Sequence, residues 1–150
     1  MISGKIVAVC ISQRKGTSKQ NVRECLLEAG KGLATDAHAG PWHRQVSLLP
    51  KESIDGFKKQ YPDLAVTEGS FAENLTTEGI DLKSLPIGTI LNIGPEVVLK
   101  MTQIGKDCHT KCAIYHKVGN CIMPLEGVFA EVIKGGKVKE GDEITVVPIL

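Results

Sequence analysis

Pro86-Ile-Gly88-Thr-Ile-Leu91-Asn-Ile93-Gly94-Pro95-Glu-Val97-Val-Leu-Lys-Met-Thr-Gln-Ile104 decides the class of fold. Two aliphatic runs, Leu91 to Ile93 and Val97 to Ile104, flank the breaker Ile93-Gly94-Pro95, and Pro86-Ile87-Gly88 precedes them. β-branched and aliphatic residues suit a half-buried pleated surface, and Gly with Pro supplies the turn geometry between them. The runs therefore read as two strands joined by a tight turn. Working outward, Lys5 to Ile11, Arg44 to Leu49 and Phe71 to Leu75 predict further strands. Gly127 to Ile133 and Glu143 to Val147 predict a closing strand pair, with a hairpin turn at Gly135-Gly136. Turn signals recur about every ten residues, which predicts a mainly β, barrel-like domain with one or two short helices.

The clearer helix is Pro50 to Tyr61: Pro50 starts it, Ile54, Phe57 and Tyr61 share a face, and Pro62 stops it. A second helix is expected over Lys19 to Ala29, capped by Ser18 and ended by Gly30 and Gly32, with Val22, Cys25, Leu26 and Ala29 on one face. Gly32 to His43 has no period and reads as a loop. The 150 residues fit one domain, 1–150, large enough to bury a core without disulfides.

Composition removes several function classes. The net charge is +1, from 18 basic and 17 acidic residues, so there is no basic field to hold a nucleic acid. Aromatic residues make up 4%, too few for base-stacking platforms. No run approaches the roughly 18 apolar residues of a membrane helix, and no signal-peptide pattern opens the chain. The expectation is a cytoplasmic protein. Five cysteines cannot all pair within one chain, so in a reducing compartment they read as catalytic, metal-binding or buried thiols.

Three of the five lie within Cys108-His109-Thr-Lys111-Cys112-Ala-Ile-Tyr-His116-Lys-Val-Gly-Asn-Cys121. Lys106, Lys111 and His109 lie close to Cys108 in the chain, and nearby positive charge favours a thiolate. Cys108 is therefore a candidate nucleophile or sulfur carrier. The same spacing offers a zinc site through Cys108, Cys112 and Cys121, although it lacks the paired C-x2-C knuckles of common zinc ribbons. Inert burial of Cys112 and Cys121 is the third possibility. Cys10 and Cys25 sit in apolar patterns and read as core.

A second constellation is Asp36-Ala-His38-Ala-Gly40-Pro-Trp42-His43-Arg44-Gln45. Arg44 offers a forked donor to phosphate or an oxyanion, and His38 a ligand, donor or proton carrier. A purely structural loop packed on Trp42 competes with this reading. Glu73 and Asn74, in Phe71-Ala-Glu73-Asn74-Leu75, either contact a polar ligand or satisfy backbone groups.

Taken in order, Asp36 to Ser47, Phe71 to Leu75, Leu85-Pro86-Ile-Gly88, Thr102-Gln103-Ile-Gly105-Lys106-Asp-Cys108-His109, Gly127-Val-Phe-Ala130 and Gly141-Asp142 resemble a MOSC domain. The family is named after the C-terminal domain of molybdenum cofactor sulfurase, and the chain is similar to its small stand-alone bacterial members. The resemblance implies a mostly β, barrel-like fold and a role in molybdenum cofactor metabolism. It implies that Cys108 carries sulfur as a persulfide or sits beside the metal of a bound molybdenum–pterin (molybdopterin) cofactor. Asp36, His38, His43, Arg44, Glu73, Asn74, Lys106 and His109 would then be the cofactor-binding residues. Pyridoxal phosphate would belong to a separate cysteine desulfurase that donates sulfur in trans, and a molybdoenzyme or cofactor-biosynthesis protein would receive it. A homodimer is compatible with exposed strand edges. A non-covalent oxyanion or pterin-binding module and a zinc protein are the rival readings. One departure stands out: Thr35-Asp36 replaces the family's frequent Gly-Asp, and threonine resists positive φ.

Overall fold

The computed structural model describes residues 2–105 and 126–148. The Pro86–Ile104 reading holds: β7 (Ile90–Ile93) and β8 (Val97–Ile104) form an antiparallel hairpin in which Ile93 faces Val97. Their neighbours complete a ring. It runs β1 (Ser3–Ile11), β11 (Glu143–Val146), β7, β8, β9 (Val128–Lys134), β5 (Val46–Pro50), β6 (Leu75–Glu78) and back to β1. Among the described residues, the result is a closed barrel of seven strands with one α-helix, α1 (Lys51–Gln60). Closure leaves none of these seven strands with an open edge along the ring.

One pair in the ring, β5 with β6, is parallel. A parallel pair needs a crossover, and α1 supplies it. Ile54 and Phe57 of α1 are buried against Leu49, Val66, Phe71 and Phe129, a small cluster on the outside of the barrel. Phe57 meets Phe71 edge-on at 4.9 Å between ring centroids. The larger cluster fills the barrel with Ile6, Leu48, Leu75, Leu91, Ile93, Leu99, Met101, Val128, Ala130 and Ile144, among others.

Three expectations need correction. Residues 19–29 are not a helix. They form β2 (Gln20–Asn21), paired with β1, and β3 (Glu24–Glu28), paired with β10 (Gly136–Lys139) and β4 (Gly32–Leu33). The supposed helical face is not the buried face: Leu26 is 54% exposed, whereas Leu27 is 1% exposed and joins the barrel core with Leu33 and Val138. A chance period of 3.6 hides a period-2 pattern whose pairing partner lies far along the chain.

Gly135-Gly136 is not a hairpin turn either. β10 leaves β9 and pairs with β3. A side chain at Gly135 would place its Cβ 2.4 Å from the Leu27 carbonyl oxygen, so glycine allows the crossing from barrel to small sheet. Finally, the strand expected over Phe71–Leu75 begins only at Leu75 and continues to Glu78. Phe71 lies in a turn where Ala72 takes φ 63°.

β1 is the seam strand, because it pairs β6 on one side and β11 on the other. A Cβ at Gly4 would lie 2.4 Å from the Glu78 carbonyl oxygen and 2.9 Å from Ile80. Gly4→Ala therefore has to push the β1–β6 seam apart. The expected loss is about 1–3 kcal/mol, the cost typical of forced overpacking, and urea denaturation of the variant checks it.

Candidate functional site

Ser12, the residue after β1, holds the Asp36–Arg44 loop. Its backbone N–H donates to Asp36 Oδ1 at 3.0 Å, and its carbonyl accepts from Ala37 N–H at 2.8 Å. Asp36 Oδ1 also takes the ammonium of Lys19 at 2.7 Å, with both side chains fully buried. The other carboxylate oxygen, Oδ2, accepts the His38 N–H at 3.2 Å. Lys19 Nζ further donates to Ser12 Oγ at 3.1 Å and lies 2.9 Å from His38 Nδ1. Burial opposes ionisation of Asp36, but the Lys19 hydrogen bond and charge and the Ser12 N–H outweigh it and hold the carboxyl below its usual 3.8. Burial pushes Lys19 below its usual 10.5, with Asp36 opposing.

Sequence reasoning does not single out Lys19. A lysine near a polar, glycine-containing loop reads as solvated, and its partner lies 17 residues on. Asp36 Oδ1 thus joins Ser12 and Lys19 to the loop, and Oδ2 holds the His38 N–H within it.

Thr35 adopts φ 66°, so the loop takes the conformation that the frequent glycine would give, at the cost of strain on a β-branched residue. Further along, Trp42 Nε1 donates to the His38 carbonyl at 2.9 Å. The Arg44 guanidinium lies over Trp42 at 4.9 Å and over Phe129 at 5.7 Å. Lys15 approaches the same indole at 5.8 Å. Arg44 Nε is buried and has no hydrogen-bond partner among the described residues. A buried guanidinium N–H without an acceptor is costly, and an anionic ligand would satisfy it.

His43 faces the end of β8. Its Nε2 lies 2.8 Å from Gln103 Oε1, and its carbonyl accepts from Thr102 Oγ1. Gln103 Nε2 donates to the Gly105 carbonyl at 2.7 Å, and Gly105 N–H donates to the Gly127 carbonyl at 2.7 Å. The cation-bearing loop is thus tied to the end of β8, whose last residue, Ile104, precedes Cys108 by four residues in sequence. Lys106, Cys108, His109, Cys112 and Cys121 lie outside the described residues, and so does the zinc reading built on them. Among the described residues, no three His, Cys, Asp or Glu side chains group to hold a metal.

Glu73 and Asn74 turn inward. Glu73 accepts Gly69 N–H at 2.8 Å, Phe71 N–H at 3.2 Å and Thr76 Oγ1 at 2.9 Å. Burial raises its pKa despite these donors. Asn74 accepts Ser47 N–H at 3.0 Å and donates to the Cys10 carbonyl at 3.1 Å, linking β5 to β1. Its amide also helps keep Asp36 ionised. These two residues brace the floor beneath the loop. Cys10 is buried as expected, and desolvation, with Glu73 nearby, drives its thiol pKa up, which leaves it inert at neutral pH. Cys25 is half-buried and its thiol is likewise raised by burial.

The family model of the MOSC domain matches residues 35–145. This chain belongs to the MOSC domain family. Solved structures repeat the architecture of this MOSC domain. The YuaD protein from Bacillus subtilis superposes with TM-score 0.79 at 17% identity, covering 99% of this chain and 98% of that one. YiiM from Geobacillus stearothermophilus gives 0.73 at 19% identity over 97% of this chain and 75% of its own. YiiM from Escherichia coli gives 0.68 at 20% identity over 100% and 72%. At these identities the likeness establishes the fold. No curated protein matches the sequence. No helix among the described residues is long and apolar enough to cross a membrane.

The donor set suits an oxygen-rich anionic group such as the phosphate of a molybdenum–pterin cofactor: a buried Arg44 N–H without an acceptor among the described residues, a histidine-bearing loop and a nearby lysine.

The loop sets two expected outcomes. Lys19→Met strands a buried carboxylate and is expected to cost about 3–5 kcal/mol, part of it recovered in Lys19→Met/Asp36→Asn, whose neutral amide oxygen still accepts one of the loop's N–H donors. Because the Asp36 pKa is depressed, its contribution is complete above pH 3.8 and is lost as pH falls through the folded value. Wild type should therefore lose stability relative to the double variant below pH 3.8, as read by urea titrations across that range. Thr35→Gly should stabilise the protein by about 1 kcal/mol, the released φ strain less the added chain entropy; thermal unfolding measures it.

Proposed function

We propose that this MOSC domain acts in molybdenum cofactor metabolism, holding the pterin-bound metal group at the Asp36–Arg44 loop and carrying sulfur on Cys108. The observation that carries the reading is the hydrogen-bonded path His43–Gln103–Gly105, which ties the cation-bearing loop to the strand end leading to Cys108. Arg44 and His43 would hold phosphate or oxo groups, with Lys106 and His109 contributing charge beside the thiol. His38 belongs to the same loop. Glu73 and Asn74 act from beneath, by keeping the loop's support in shape. When bound, the cofactor supplies the metal that takes the sulfur.

The protein's own chemistry is an exchange at sulfur. The donor is a cysteine desulfurase, itself dependent on pyridoxal phosphate. Cys108 thiolate attacks the outer sulfur of the donor's persulfide. A new S–S bond forms on Cys108, the donor's S–S bond breaks, and the donor cysteine leaves as thiolate. No external oxidant is needed. Lys106 and Lys111 favour the anionic forms at each stage. The acceptor in turn is a molybdoenzyme or a cofactor-assembly protein.

The unsatisfied Arg44 Nε also favours a second reading, a binding module that holds the oxyanion or pterin and forms no covalent bond to sulfur.

Intact-mass analysis after anaerobic incubation with a desulfurase and cysteine tests the first reading. Wild type should gain the mass of one sulfur, and Cys108→Ser should gain none. Equal gain in both removes Cys108 from the role. No gain in either, together with molybdate binding that survives Cys108→Ser but is lost in Arg44→Met, establishes the binding module instead.

A further inference from the structure

Lys19 has no acceptor atom when charged: an ammonium offers three N–H donors and nothing else. Its three short contacts are Asp36 Oδ1, Ser12 Oγ and His38 Nδ1. The first keeps it an ammonium, since a buried carboxylate 2.7 Å away needs a cation. The third then fixes the imidazole. Nδ1 must present its lone pair to Lys19, so the ring proton resides on Nε2.

The rest of His38 is held as firmly. Its N–H donates to Asp36 Oδ2 and its carbonyl accepts from Trp42 Nε1. Backbone on both sides and one ring nitrogen are therefore fixed by three different residues, two of them buried.

We propose that Lys19 is a positioning residue that locks His38 as the Nε2–H tautomer, so that His38 serves the loop as a hydrogen-bond donor and not as a metal ligand or a base. A metal or a substrate proton at Nε2 would require that nitrogen to be bare, and Nδ1 is committed to an ammonium. An oxygen-rich anion is the ligand class that such a donor accepts. The donor role rests on the reading of this loop as an anion site; the tautomer lock does not.

Long-range 1H–15N correlation spectra of the full-length protein, with His38 assigned through His38→Gln, read the tautomer directly. Wild type should show protonated Nε2 and bare Nδ1, and Lys19→Met should populate the Nδ1–H form. A wild-type ring carrying its proton on Nδ1, or a ring unchanged in Lys19→Met, overturns the lock. Should Lys19→Met fail to fold, the scalar coupling across the Lys19 Nζ to His38 Nδ1 hydrogen bond in wild type decides the same point: present, the lock stands; absent, it falls. Adding molybdate should then shift the His38 Nε2–H resonance. A locked ring that ignores molybdate overturns the donor role and the anion-site reading together, while leaving the lock established.

Discussion

A single buried ion pair, Lys19 with Asp36, organises the region where the chemistry is placed. Neither group can be buried alone without a cost of several kcal/mol. Together they fix the end of β1 through Ser12, the start of the loop through the His38 N–H, and the imidazole through Nδ1. Further hydrogen bonds of the pair go to Ser12 and to His38, so it ties a stretch with no periodicity to the end of β1 in one defined conformation. The left-handed Thr35 beside it is tolerated because the surrounding contacts over-determine its position. Below the pair, Asn74 bonds across from β5 to β1, and Glu73 gathers the donors of its own turn. The polar groups stack in layers, each positioned by the one beneath.

Local sequence carries the fold where the partner is near in the chain. β8 has the bounds its aliphatic run implies, and α1 begins and ends at the prolines that flank it. Both are decided by neighbours within a few residues. β3 escapes a local reading because its pairing partner, β10, lies far along the chain, and Val22, Cys25, Leu26 and Ala29 imitate a helical stripe that buries nothing of the kind. The start of β6 escapes it for a different reason. Thr76 and Thr77 look like surface residues, whereas both are fully buried, one on each face of β6.

The site is legible as residue types and illegible as roles. Asp36, His38, His43 and Arg44 do share one loop, as their spacing suggests. Which of them supports and which is presented depends on Lys19, a residue whose type gives no hint of burial. Glu73 and Asn74 stand out for their polarity inside an apolar run, and that signal is sound. Their direction, toward backbone donors and the Cys10 carbonyl, comes only from the packing of β1, β5 and β6.

The first strand of the barrel cannot be completed until residues 143–146 exist. β1 needs β11 on its open side, and β11 also closes β7. During synthesis, a chain that stops short of Glu143 carries two unpaired edges, one at each lip of an unrolled sheet. Unpaired edges invite other chains to pair with them. The ring therefore imposes a schedule: strand closure is a late event that follows synthesis of residues 143–146. A nascent chain stalled before that point is an aggregation hazard in a way that the finished barrel is not.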